Sequence, residues 1–102
     1  MTDSKVRPAV IVTPNKYLAS ADDVLCAFIS SSLPDPVLPS DIILSSADSD
    51  FQKTGLKRTS VLRAHKLVLL NRALVYSKLG DLAARIELKL NKALLEALGL
   101  TH

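Results

Sequence analysis

The chain has 102 residues, enough for one small domain, and its 48% hydrophobic content is sufficient for a real core. Aromatic residues are scarce (Tyr17, Phe28, Phe51 and Tyr76, with no tryptophan), so the core must be mostly aliphatic, and the sequence offers no obvious platform for stacking bases. The net charge of +3 conceals a split: residues 17–50 hold six aspartates and no cation, whereas residues 51–80 hold seven cations and no acid. Such an asymmetry suits a polyanionic partner on one face. The simpler alternative is that the two stretches neutralise each other on folding. One cysteine, Cys26, excludes an internal disulfide and reads as a small core residue. No cluster has metal-ligand spacing, no glycine-rich phosphate loop is present, and no apolar run reaches membrane-spanning length. No signal peptide is visible, so the expectation is a cytoplasmic protein with no membrane association.

Residues 6–13 (VRPAVIVT) read as a strand ending at Pro14, with Pro8 placing it at an edge or bulge. A loop with a short turn near Tyr17 and Leu18 follows. Residues 24–31 (VLCAFISS) are almost continuously apolar and predict a second strand, buried on both faces. Pro34, Pro36 and Pro39 mark a loop, and Asp41–Leu44 predicts a short third strand. A helical turn is expected over residues 49–53, ended by Gly55.

Residues 55–70 (GLKRTSVLRAHKLVLL) are the organising stretch. A long strand is expected over 59–70, bulged or broken near Lys66, with a turn at 71–73 and a last short strand over 74–78. Asp81 is a suitable N-cap for a helix over 81–98, whose stripe Leu82, Ile86, Leu90, Ala93, Leu94, Ala97 and Leu98 recurs at spacings of three and four. Arg85, Lys89, Lys92 and Glu96 form a separate charged face, and Gly99 stands where a left-handed C-terminal residue is expected. Leu88 and Leu95 project roughly opposite the stripe, as a second packing surface or dimer contact would. Strands followed by a terminal helix give the fold class α+β, a single domain over residues 1–102.

Several segments together resemble the PemK/MazF/Kid toxins of toxin–antitoxin modules: Lys5-x-Arg7-Pro8-Ala9-Val10-Ile11-Val12; Ala27-x-Ile29-Ser30-Ser31; Gly55-Leu56-Lys57-x-x-Ser60-Val61-x-Arg63-x-x-Lys66; and Lys78-Leu79-Gly80-x-Leu82 before a helix ending Leu98-Gly99-Leu100. The resemblance implies a small SH3-like β-barrel with a C-terminal helix, acting as a homodimer. It implies metal-independent, sequence-specific cleavage of single-stranded RNA with no cofactor, growth arrest, and inhibition by a cognate antitoxin. It places the family's functional positions on Arg7, Ser30, Thr59 and Arg63, with His65 where an aspartate is common. The family's opening strand has no counterpart before Lys5; either the true start lies upstream or this is a shortened member. A non-catalytic homologue that dimerises and binds an antitoxin, or a nucleic-acid-binding barrel without chemistry, are the alternatives.

RNA cleavage through the 2′-OH needs a base, an acid and cations for the charge that builds on phosphorus. Arg63 and His65 are two apart on a strand and so face one side. His65 is the candidate general base or acid, since imidazole is the side chain that ordinarily titrates near neutral pH. Arg63 is the phosphate clamp and the candidate acid partner of His65, the weaker of its two roles because a guanidinium holds its protons tightly; Arg7 holds the phosphate, and Ser30 and Thr59 donate hydrogen bonds to it. Lys57, Arg58 and Lys66 would follow the RNA backbone. Each has a plainer reading: Arg63 as the partner of an acid from residues 17–50, Ser30 as a strand terminator, and Lys57 and Arg58 as a solvated turn.

Overall fold

The computed structural model describes residues 7–75 and 77–100. Strand β1 is Ala9–Ile11, helix α1 Asn15–Leu18, strand β2 Asp23–Ser30, strand β3 Asp41–Leu44, strand β4 Ser60–Asn71 and helix α2 Ala84–Ala97. The four strands form one antiparallel sheet in the order β1-β2-β4-β3. The sheet curls as a half-barrel and α2 closes one side, so the expected α+β barrel with a C-terminal helix is present.

β1 is shorter than the 6–13 reading because Pro8 and Pro14 bracket it and neither can donate to a ladder; Val6 lies outside the described residues. β3 has the expected bounds. The turn after it is a 3-10 turn over Phe51–Thr54, closed by Gly55 in the left-handed region at φ 73. A Cβ on Gly55 would also overlap the carbonyl oxygen of Leu79, so this position needs glycine twice over.

β4 carries the expected irregularity. Ala27 pairs with Leu67 and Ile29 with Leu62, so one residue of β2, Phe28, spans the same gap as Arg63, Ala64, His65 and Lys66 of β4. Ser60–Arg63 lie against β3, and the following half, Leu67–Asn71, pairs with β2 alone. The Ala64 N–H donates to the Ser40 carbonyl at 3.1 Å, which extends β3's grip to the rim of the bulge.

The strand expected over 74–78 does not form among the described residues. The Asn71 side chain accepts the Ala73 N–H at 2.9 Å and winds the chain into a 3-10 turn over Arg72–Leu74. Val75 then donates back to the Arg72 carbonyl, and Tyr76 lies outside the described residues. Asp81 is not the helix cap either. Its N–H donates to the Lys53 carbonyl at 2.6 Å and its carboxylate pairs with Lys78 at 2.9 Å. The chain is thereby pinned beside the Phe51–Thr54 turn, and the helix starts after Ala83, without a side-chain cap. At the other end Gly99 adopts φ 69, donates to Glu96, and is followed by a bond from Leu100 to Leu95, a Schellman closure.

Ile86, Leu90 and Ala93 of α2 bury against Ala27, Ile42, Leu44, Leu62 and Ala64, with Leu82 and Leu94 at the margin. Leu98, counted in the apolar stripe, is exposed, as are Leu88 and Leu95. Cys26 is buried, and burial raises its thiol above the ordinary pKa, which leaves it inert as a nucleophile.

Candidate active site on the sheet face opposite the helix

Because side chains alternate across a strand, burying Leu62 and Ile42 against α2 turns Val61, Arg63, Asp41 and Ile43 to the other face. Ser30 pairs with Val61, and the Ile29 N–H donates to the Pro8 carbonyl, so the register brings Arg7 beside Ser30. A row of Arg7, Ser30, Val61 and Ile43 therefore crosses the sheet, with Arg63 and Asp41 in the next row.

Arg63 pairs with an acid from residues 17–50, as its plainer reading has it, and the acid is Asp41. Its Nε donates to Asp41 Oδ1 at 2.8 Å and its Nη2 to Asp41 Oδ2 at 3.3 Å, a bidentate pair. The Leu38 N–H also donates to Oδ2, at 2.8 Å. The Asp41 side chain is wholly inaccessible, whereas that of Arg63 keeps 20% of its surface. Burial alone would raise the Asp41 carboxyl; the hydrogen bonds from Arg63 and Leu38, with the charges of Arg63 and His65, outweigh it and hold its pKa below the ordinary carboxylate value. Asp41 stays an anion and Arg63 stays pointed.

His65 reaches the same corner. Its Nδ1 lies 3.0 Å from Ser40 Oγ and 3.8 Å from Asp41 Oδ1. The bulge exposes the backbone of His65, but only 27% of its side chain is accessible. Arg63 and His65 are thus brought together, as their spacing predicts, by the dipeptide Ser40-Asp41 at the start of β3. The sequence held one signal for this: Asp41 opens a strand directly after Pro39 and Ser40. Nothing in the sequence said which cation it would meet 22 residues later.

The other candidates are placed less tightly. The Ser30 hydroxyl contacts the backbone of Ser32, with the Ser32 N–H donating at 3.1 Å, so it ends its strand as well as facing the row. Thr59 accepts the Ser46 N–H at 2.9 Å and donates to the Ser46 hydroxyl at 3.0 Å, which ties the start of β4 to the loop after β3. Lys57 and Arg58 lie exposed in the turn before β4, and Lys66 lies exposed in the bulge. Among the described residues none of these three forms an ion pair. Neutralisation of the two stretches, the alternative reading of the charge split, is therefore partial. Asp41 pairs with Arg63 and Asp50 with Lys53, Asp48 and Asp50 turn to Arg85 beyond the cationic stretch, and Lys57, Arg58 and Lys66 stay exposed.

No group of three or more metal-ligating side chains occurs among the described residues, and no described helix is long and apolar enough to cross a membrane.

The family model for PemK-like, MazF-like toxins of type II toxin–antitoxin systems matches residues 2–98. The chain belongs to that family. No curated protein sequence matches it. Among solved structures, the PemK/MazF chain superposes on the Mycobacterium tuberculosis toxin MazF-mt6 with a TM-score of 0.80, at 21% identity over 94% of this chain and 89% of that one. A mycobacterial endoribonuclease in complex with its cognate antitoxin gives 0.77, at 23% identity over 94% and 84% of the two chains. A mycobacterial endoribonuclease gives 0.76, at 23% identity over 94% and 83%. These likenesses bear out the PemK/MazF fold read from the motifs, and the family match makes the chain a toxin-type protein of a type II module.

Proposed function

We propose that the chain is the toxin of its module and acts as a sequence-specific endoribonuclease on single-stranded RNA, without a metal. The observation that carries this reading is the convergence of Arg63 and His65 on one sheet face, next to the row that holds Arg7 and Ser30. In the reaction, the 2′-oxygen attacks the adjacent phosphorus while the bond from phosphorus to the 5′-oxygen breaks. The 2′-OH proton goes to a base, and an acid returns one to the leaving 5′-oxygen. The products are a 2′,3′-cyclic phosphate and a 5′-hydroxyl. His65 takes the 2′-OH proton. Arg63 and Arg7 hold the non-bridging oxygens as negative charge develops, and Ser30 supplies a hydroxyl donor. Thr59, Lys57, Arg58 and Lys66 hold flanking phosphates, a contact that weakens as salt rises.

The mycobacterial neighbours described as endoribonucleases, one with its cognate antitoxin, support both the activity and an antitoxin partner for this chain. A homodimer accounts for Leu88, Leu95 and Leu98, three large apolar side chains left exposed on α2 and at its C-cap. A cytoplasmic location fits a substrate found there.

The test is incubation of the purified protein with a long single-stranded RNA in EDTA, alongside Arg63→Ala and His65→Ala. Discrete cuts by the wild type that vanish in both variants are expected. Equal cutting by all three proteins would remove this site, and no cutting by the wild type would remove the ribonuclease reading.

A further inference from the structure

We infer that Ser40 and Asp41, the dipeptide at the start of β3, are positioning residues for the reaction: Asp41 aims Arg63, and Ser40 with Asp41 fixes which nitrogen of His65 faces the substrate. The inference rests on the ribonuclease reading above and adds to it residues that touch no substrate.

A guanidinium on a flexible stem is a poor clamp, because the catalytic gain lies in donors that need no reorganisation when charge develops. Of the five N–H donors of an arginine, one on Nε and one on Nη2 of Arg63 are committed to Asp41. Those two bonds fix the plane of the group and leave the Nη1 edge for a phosphate. Asp41 is itself held on several sides. It is wholly inaccessible, its strand pairs Asp41 with Arg63, and Oδ2 is held a second time by the Leu38 N–H. A carboxylate set this way has no spare freedom with which to turn Arg63 elsewhere.

The same corner sets the histidine. His65 Nδ1 faces the Ser40 hydroxyl at 3.0 Å, with Asp41 Oδ1 behind it at 3.8 Å. A fixed negative charge on that side favours a proton on Nδ1, donated to Ser40 Oγ. The lone pair then sits on Nε2, the nitrogen directed away from β3. A ring in this tautomer accepts the 2′-OH proton, which makes His65 the base of the pair.

The experiment is a coupling measurement on the full chain with single-stranded RNA as substrate. Asp41→Asn keeps the volume but replaces one carboxylate oxygen by a donor, so it cannot accept from both Nε and Nη2 of Arg63, and the two-point pair is lost even if the remaining oxygen still accepts the Leu38 N–H. Expected is a fall in kcat of about 10²-fold with KM changed less than about threefold, the signature of lost aim rather than lost binding. In an Arg63→Lys background, whose ammonium cannot form the two-point pair, the same Asp41→Asn change is expected to cost less than about twofold. An equal loss in both backgrounds, or a loss confined to KM, would overturn the positioning role. Ser40→Ala is expected to lower kcat and Ser40→Thr to restore it; failure of threonine to rescue would remove Ser40. Nitrogen-15 NMR gives a reading independent of turnover. The wild type should show a slowly exchanging Arg63 Nε–H that Asp41→Asn abolishes and, in spectra taken where the His65 ring is uncharged, its one ring proton on Nδ1. A fast-exchanging Nε–H in the wild type, or an uncharged His65 ring protonated on Nε2, would overturn the inference. If the wild type leaves RNA intact, the ribonuclease reading fails by itself, and the NMR signals still decide whether Asp41 holds Arg63.

Discussion

Two arginines of this chain draw their partners from the same acidic stretch, with opposite consequences. Arg63 meets Asp41 inside the sheet, where the carboxylate is wholly inaccessible and the backbone registers of β3 and β4 fix both ends. Arg85 meets Asp48 and Asp50 across the surface, between α2 and the loop after β3, with 45% of its side chain accessible. In the second cluster the Arg85 hydrogen bond lowers the Asp48 carboxyl, and the bonds to Asp48 and then Asp50 raise the guanidinium. The direction is what any ion pair gives. The arrangement differs in what is left over. Asp41 takes one edge of Arg63 and leaves the rest of the group, with 20% of the side chain accessible, on the sheet face turned away from α2, whereas Arg85 joins a helix to a loop. Charge pairing therefore does not distinguish a working arginine from a structural one; the face it occupies and the freedom its partner removes do.

The comparison breaks first at Arg63. Arg63→Ala is expected to reduce cleavage by about 10³-fold or more. It should also destabilise the protein by about 3–5 kcal/mol, because it strands a buried carboxylate. Urea denaturation followed by circular dichroism, beside a cleavage assay, reads both; a variant that loses neither would make the two clusters equivalent.

Leu62 sharpens the contrast from the reverse side of the same strand. It is fully buried beneath α2, and Leu62→Ala should cost about 2–5 kcal/mol. The specific activity of the protein that remains folded should stay within about threefold of wild type. A large loss of activity at full folding would mean that the two faces are not separable.

Acid separates the clusters by depth. The Asp41 pKa is lowered in the folded state, so its contribution to stability is complete above the ordinary unfolded value of about 3.9 and is lost as pH falls through the folded value. Asp48 has the same sign. Denaturation midpoints should therefore vary little through either pair between about pH 5 and 8, and fall below about pH 4. In about 1 M salt the surface share should fade while the Asp41 share persists. An acid limb as steep in Asp41→Asn as in the wild type would show that Asp41 contributes nothing. The smallest effect is expected from Arg85→Ala: unchanged cleavage, and a slight loss of stability that high salt removes.

What could be read in advance divides along the same line. Local rules gave β3 to the residue, the helix with its glycine closure, the turn ended by Gly55, and the break in β4 near Lys66. Each depends on residues a few positions apart. A distant segment overrides the local rule at Asp81, which has the chemistry of a cap but whose N–H is claimed by Lys53 from the preceding turn. The strand expected over 74–78 fails for a local reason: the Asn71 side chain holds the expected turn and winds it on through Leu74. Arg63 and His65 could be placed on one side from their spacing alone. Asp41 could not be assigned to them, because the pairing register of β3 with β4 is a property of the sheet and of no single stretch.

The bulge in β4 has a consequence for how this sequence can change over time. Between Leu62 and Leu67 the chain must satisfy β3 on one side and β2 on the other while carrying more residues than its partner strand. Removing or adding one residue there would either exchange the two faces of the strand or force it to slide past a neighbour. The constrained quantity in this stretch is its number of residues rather than their identity. Insertions and deletions among descendants of this chain should gather in residues 32–39 and 45–50, where loops absorb them, and leave the interval from Leu62 to Leu67 at constant length.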